Sequence, residues 1–546
     1  PSLSDWLTSS IQSGLIGGAV GILISLIGMV VRFSERSIIE GVIGLGHALL
    51  LAVIFIVAYQ AAKSELAVGL RLISGVIAGT VAALLLMGLV LIGERVNLRW
   101  MFINASPQLY EFLKFGNLAL VPLLGAATGF VAALFRSLDP RLRNALFTGL
   151  TIMVLIGVLS DQLLLILNNN GVAAYFRGWL LAPKGITVIG AVLTTVVITV
   201  ISYALGLRRT RLLDQPRATA SAPWLRYTGW VVLLAVLLYL PQVLGAYHSE
   251  VLNQVGLFVL MGLGLNIVVG FAGMLDAGYV AFFALGAYVI GMLTSSEGFV
   301  AQMTGQWTFW QALPVALVVA TLAGILLGIP VLRIRGDYLT IITLGFGEII
   351  RILAGSNWLV PYAGGAQGIA GIPAIEIPGL FSISGPDKPQ KLFYLILGCC
   401  LLAAFVATRL KHSRLGRAWM AVREDEDVAE AMGINLVQTK LLAFAAGAAF
   451  SGLSGAIFAA KLGSIYPHSF ALLISINILA LIIVGGMGNI YGVILGALVL
   501  VGLPELLREF SEFRLLVYGA VLIFMMLQRP EGLLPDKPQQ LVPEGA

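Results

Sequence analysis

The chain has 546 residues, 59% of them hydrophobic and only 11% charged, with 63 glycines and a formal net charge of +6. So few polar side chains cannot cover a soluble globule of this size, so an all-α polytopic membrane protein is expected and nucleic-acid binding is set aside. Cys399 and Cys400 are neighbours in an apolar run, which excludes a secreted-type disulfide framework, and the Lys and Arg residues sit mostly at loop edges, where they set topology.

The first apolar run, roughly Gly14 to Val31, is long enough to stay as a span, so no cleaved leader is expected. Stretches near the ~20-residue crossing length follow at 40–62, 70–93, 118–135, 144–167 and 186–207, giving an N-terminal module of about six helices over residues 1–207. His47 and Asp161 in this module are read as packing or interfacial groups. A polar linker at 208–223 carries Pro216 and Pro223. Further spans are expected at 224–245, 251–270, 277–294, 312–332, 338–354, 391–408, 441–460, 471–487, 490–507 and 513–528, a second module of about ten helices that runs to residue 535 and precedes a tail at 536–546.

Orientation follows the basic residues. Arg333, Arg335, Arg409, Lys411, Arg414, Arg417, Arg423, Lys440, Arg529 and Lys537 fall on one side of the second module, against Lys388, Lys391, Lys461, Arg508 and Arg514 on the other. This puts the loop at 409–440 and both termini in the cytoplasm and the glycine- and proline-rich loop from Gly355 to Pro389 outside. In the first module the same comparison is nearly balanced and decides nothing.

The 409–440 loop is the longest polar interruption in the C-terminal half, basic first and acidic after. Ser413 can cap a short helix from Arg414 to Val422 that offers Trp419 and Met420 for apolar contact. Glu424, Asp425, Glu426 and Asp427 stand at the positive end of a second, from about Glu426 to Met432, and Gly433 lies just past its finish. Such a pair reads either as a docking element for a soluble partner or as a solvated connector. Between Gly264 and Gly291 an apolar stretch is punctuated by Gly270, Gly273, Gly278 and Gly286 and holds Asn266, Asp276 and Tyr279. Backbone unwound at membrane depth is tolerated only where protein or a water-filled cavity satisfies it, so these residues are candidate pathway lining, tight helix contact being the alternative. The segment 476–488, with Asn477, Gly485 and Gly486, resembles 265–274, and a parallel duplication is expected. Glu348 and Arg351 share one helical face and are read as a structural ion pair. There is no Walker-type GxxxxGK[ST], no GxSxG elbow and no metal-spaced histidine cluster, so no catalytic residue, metal or cofactor is expected and energy for any active process must come from another protein.

Five segments, GLNIVVGFAGMLDAGYVAFFALGAY (264–288), GDYLTIITLGFGEIIRI (336–352), SRLGRAWMAVREDEDVAEAMGINLVQTKLLAF (413–444), VGGMGNIYGVILGA (484–497) and RPEGLL (529–534), resemble the membrane permeases of branched-chain amino acid ABC importers, LivM-type subunit, over residues 224–535. The resemblance implies a type II-like ABC importer permease in a bacterial inner membrane. Its partners would be a LivH-type permease, two cytoplasmic ABC ATPases and an extracytoplasmic solute-binding protein. It also implies that Arg414, Gly416, Arg417, Trp419, Glu424, Asp425, Glu426, Ala429, Gly433 and Ile434 belong to the segment presented to the ATPase. Where many members read Leu-Ser-x-Gly-His this chain has Leu275, Asp276, Ala277, Gly278 and Tyr279, which bears on the solute, and residues 1–223 lie outside the resemblance. The rival readings are an ion-coupled secondary transporter, which should show paired buried carboxylates, and a noncatalytic membrane scaffold.

Overall fold

A computed structural model describes residues 3–34, 36–63, 67–171, 173–213, 223–296, 298–331, 337–377, 381–385 and 387–506, then 513, 516, 519, 522, 523, 525, 527, 529 and 531–535. Most of the linker, the tail, Gly336 and the topology-setting Arg333, Arg335, Arg508, Arg514 and Lys537 lie outside the described residues. The chain divides into two compact units, Pro1–Val231 and Val232–Ala546.

The first unit contains α1 (Leu3–Leu26), α2 (Met29–Phe33), α3 (Leu45–Ala61), α4 (Val68–Arg95), α5 (Pro107–Leu113), α6 (Leu120–Ser137), α7 (Pro140–Val158), α8 (Ser160–Asn169), α9 (Ala173–Phe176) and α10 (Val188–Leu213). Its glycines explain its packing. Gly75 and Gly79 of α4 face Gly125 and Gly129 of α6 so closely that a Cβ at any of the four would meet the other helix's backbone carbonyl, the small-residue crossing that brings membrane helices into backbone contact. Short strands β1 (Ser37–Ile39), β2 (Ile43–Gly44), β3 (Leu181–Ala182) and β4 (Gly185–Ile186) form one sheet in the order β2-β1-β4-β3. His47 stacks on Phe112 with ring centroids 3.7 Å apart, and Asp161 pairs with Arg36.

The second unit is built on α11 (Pro223–Leu265), which starts in the first, α12 (Val280–Thr294), α13 (Phe299–Thr304), α14 (Phe309–Val331), α15 (Asp337–Ala354), α16 (Val360–Ala363), α17 (Lys388–Lys411), α18 (Arg414–Glu424), α19 (Glu426–Ala431), α20 (Leu436–Leu462), α21 (Leu472–Gly485), α22 (Ile490–Ala497) and α23 (Leu503–Leu506). The centre is α20, flanked by α12 and α14. Gly455 of α20 backs onto the Phe283 carbonyl, Gly286 of α12 onto Gly452, and Gly324 of α14 onto Ala448 and the Phe444 carbonyl. Phe282, Phe283, Phe444 and Ile457 fill the space between them.

Helices occupy every expected stretch except the last, which lies largely outside the described residues, but fewer are full crossings. Ten helices among the described residues are long and apolar enough to span a membrane, or eleven if Tyr338–Ala354 and Asn357–Ala363, bent by 57°, form one broken span. The shortfall has local causes. Residues 37–44 go to the β1–β2 pair, so α3 is short, and residues 272–279 are irregular, so α12 has only 15 residues. The stretches expected at 224–245 and 251–270 join into one helical run with a break at Gly245, whose φ of 75° interrupts the helix. The stretch expected at 144–167 is divided at Leu159 between α7 and α8.

Candidate functional site: an amphipathic helix pair on two helix breaks

The polar interruption resolves into the end of α17, the pair α18–α19 and the start of α20. Ser413 accepts a hydrogen bond from the Gly416 N–H (3.2 Å), capping α18. Gly416 is required by the tight entry, since a Cβ there would overlap the carbonyl oxygens of Leu410 and Lys411. Asp425 does for α19 what Ser413 does for α18, accepting from Asp427 N (2.9 Å) and Val428 N (3.0 Å). At the other end, Ile434 N–H donates to Ala429 O and Gly433 N–H to Glu430 O, a Schellman closure that needs the left-handed φ of 86° at Gly433.

Burial divides this pair into an inner and an outer face. Trp419 is 1% exposed, and its Nε1–H donates to Thr439 O (2.8 Å) at the start of α20. Ala429 is buried, and Glu426 pairs with the buried Lys440 of α20 (2.8 Å). The outer face carries Arg414, Arg417, Glu424 and Asp425 together with exposed Val428 (58%) and Met432 (78%). Apolar side chains among charges on a helix pair fastened from behind form a surface suited to a protein partner.

Beneath the pair lie two helix breaks. In the first, α11 loosens into a π-turn at Asn266–Phe271 and passes through Gly273 (φ 72°) before α12 begins. In the second, α21 ends at Gly485 and the chain turns through Gly486 (φ 116°) and Gly488 (φ 82°) into α22, capped by Asn489. The two meet: the Gly488 N–H donates to Asn266 Oδ1 (2.8 Å). A helix break leaves carbonyls without intrahelical partners and a negative dipole end, and here cations from the polar segment satisfy them. Arg423, in the last turn of α18, donates from Nη1 to Gly270 O (2.6 Å), with its stem lying against Gly273, where a Cβ would be 2.8 Å from Arg423 Cγ. Lys411, the last residue of α17, donates from Nζ to Gly488 O (2.9 Å) and sits 5.6 Å from the centre of the Phe271 ring. The segment 531–535 completes the second break: Leu533 N and Leu534 N donate to the carbonyls of Val484 and Gly485, and Asn489 donates to Leu534 O.

Four sequence segments far apart in the chain thus converge on one end of the unit. Sequence reasoning counted Lys411, Arg423 and Lys440 only as topology charges. Their one distinguishing mark was position, each near a helix end within the polar loop. Of the candidate lining residues, Asn266, Asp276 and Tyr279 are buried against neighbouring helices, and Asn477 borders a cavity at the opposite end. Asp276 Oδ1 accepts from the Gly278 N–H (2.9 Å), Tyr279 donates to Gly447 O (2.6 Å) and Ser475 accepts from Val280 N (2.9 Å), so the start of α12 is held by α20 and α21. Gly278 presses on α15, where a Cβ would overlap the Thr343 carbonyl oxygen. Glu348 and Arg351 face each other on α15, with Arg351 Nε donating to both carboxylate oxygens (3.0 and 3.1 Å). Among the described residues no group of His, Cys, Asp and Glu could hold a metal ion.

Residues 247–526 match the family model described as the permease component of the branched-chain amino acid transport system. The LivM high-affinity branched-chain amino acid permease of Escherichia coli K12 is 40% identical over 336 residues, 58% of this chain and 77% of that protein. A probable LivM of Methanocaldococcus jannaschii is 22% identical over 53% of this chain and 94% of its own, and LivH of Salmonella typhimurium is 25% identical over 51% of this chain and 91% of its own. No solved structure matches. The first unit lies outside the family match. With the family model matching residues 247–526, just over half of the chain, and a LivM 40% identical over 77% of its own length, the chain belongs to the branched-chain amino acid permease family and is of LivM type.

Proposed function

We propose that this chain is the LivM-type membrane subunit of an ATP-driven importer for branched-chain or related amino acids, taking solute from an extracytoplasmic binding protein and pairing with a LivH-type permease. Cytoplasmic ATPases dock on α18–α19, and residues 413–434 carry their closure into the bilayer. The observation that carries this reading is the pair of cation contacts, Arg423 to Gly270 O and Lys411 to Gly488 O, which tie the amphipathic pair and its leading helix to both helix breaks. A displacement of α18–α19 cannot leave those breaks unmoved without breaking charge-assisted hydrogen bonds. Interfaces and packed elements of this kind are bistable rather than continuously deformable, so a small push becomes a switch between two arrangements.

Uptake of labelled leucine, isoleucine, valine, other amino acids, amides and urea into vesicles holding the assembled complex tests the reading. Uptake that needs ATP and the binding protein is expected. Uptake driven by an ion gradient without nucleotide would replace it with an ion-coupled transporter. Co-purification adds the docking test: Met432→Asp should release the ATPases from a permease that still elutes as a folded protein.

A further inference from the structure

At the end of the second unit opposite α18–α19 lies a cavity of about 320 Å³, at the small end of the ~300–1,000 Å³ range typical of small-molecule sites. Its placement follows from α20, whose first turns contact Trp419 and Glu426 and whose last full turn supplies Lys461 to the cavity. The 27 residues between its ends rise about 40 Å.

The lining pairs charge with apolar surface. Lys461 has a side chain only 6% exposed and pairs with Glu250 of α11 (2.9 Å), whose side chain is 48% exposed. Lys461 Nζ also donates to Gln254 Oε1 (3.3 Å). Val251 and Phe258, from the same stretch of α11, and Val501, from the π-turn after α22, supply the apolar wall, and Asn477 adds an amide. The break at Gly245 frees this stretch of α11 to start afresh, with Ser249 Oγ donating to Gly245 O (2.7 Å).

A buried ammonium on the floor, the carboxylates of Glu250 and Glu505 in the lining and apolar side chains beside them form the complement of a zwitterion with an aliphatic side chain. We propose that this cavity is a loading subsite for an aliphatic α-amino acid, a reading that rests on the import function proposed above. The ligand carboxylate bonds Lys461 Nζ, its ammonium bonds Glu250, and its side chain lies against Val251, Phe258 and Val501. The exchange leaves neither Lys461 nor Glu250 without an opposite charge, so the buried Lys461 ammonium stays paired when its bond to Glu250 opens.

Equilibrium binding of radiolabelled L-leucine to the full chain in lipid nanodiscs, without ATPases, tests the subsite. L-Valine should displace the label, whereas leucinol, which lacks the carboxylate, and 4-methylpentanoate, which lacks the ammonium, should compete about tenfold less well or worse. Glu250→Gln, at a half-exposed side chain, should weaken binding by about tenfold, and Asn477→Trp, which fills the cavity from α21, should abolish it, both variants eluting as the parent does. No leucine binding by the parent chain, equal competition by 4-methylpentanoate, or parental binding by both variants overturns the subsite. Those results leave the import reading standing, because ATP-dependent uptake by the assembled complex is measured separately and that reading falls only if uptake fails in the parent.

Discussion

Replacing Arg423 with methionine separates a mechanical link from a packing contact. Methionine keeps an unbranched stem of comparable length against Gly273 and removes only the guanidinium that donates to Gly270 O at 2.6 Å. A hydrogen bond from a charged donor contributes about 1.5–3 kcal/mol. The rest of Arg423 is exposed, so the lower end applies, and about 1.5 kcal/mol corresponds to roughly tenfold in the ratio of linked to unlinked arrangements. Val428 and Met432 are untouched, so assembly and ATP hydrolysis should persist while amino acid taken up per ATP falls by about that factor. Vesicles reporting both quantities on one preparation give the ratio. Arg417→Met is the control, because Arg417 donates only to His412 O beside its own helix (3.2 Å) and should shift the ratio by less than about twofold. Parental coupling in Arg423→Met, or an equal loss in Arg417→Met, would refute the link.

Other substitutions test the supporting structure. Glu426→Gln takes the carboxylate from Lys440, whose side chain is 5% exposed, and should lower stability by about 1–3 kcal/mol; Glu426→Gln with Lys440→Met should recover part of that loss in thermal unfolding, and additive losses would argue against direct pairing. Trp419→Phe keeps an aromatic ring and loses the buried bond to Thr439 O, a carbonyl that α20 still engages within the helix, so a loss of about 0.5–1.5 kcal/mol in thermal unfolding is expected. Gly278→Ala sets a methyl into the Thr343 carbonyl and should reduce the yield of folded protein sharply, whereas Gly398→Ala, at a helix position with nothing within 4 Å of the added carbon, should be neutral or slightly stabilising by helix propensity.

Much of the fold was legible because hydrophobic runs record spans directly. The short helices of the polar loop were legible too, since Ser413, Asp425 and Gly433 are cap residues whose chemistry is local. Span lengths were less so, because a run of apolar residues does not show where backbone unwinds: nothing in the stretch 266–271 demands a π-turn, and Gly245 is one glycine among 63. The candidate site was half legible. Its outer face came from charge pattern, but the joining of Arg423 to Gly270, Lys411 to Gly488 and 531–535 to 484–485 depends on tertiary placement across up to 153 residues. Asn266 and Asn477 look alike in sequence, yet one closes a break at one end and the other borders a cavity at the opposite end. Periodicity cannot separate two asparagines that only the bundle tells apart.

The most direct measurement places a photo-crosslinking amino acid at Met432, the highly exposed residue that caps the end of α19, in the assembled complex within cells. A photo-reactive side chain avoids the native Cys399 and Cys400. The account predicts crosslinks to the ATP-hydrolysing subunit, whose yield changes when nucleotide is trapped. Crosslinks to the solute-binding protein, or to no protein while the complex remains assembled, would contradict it.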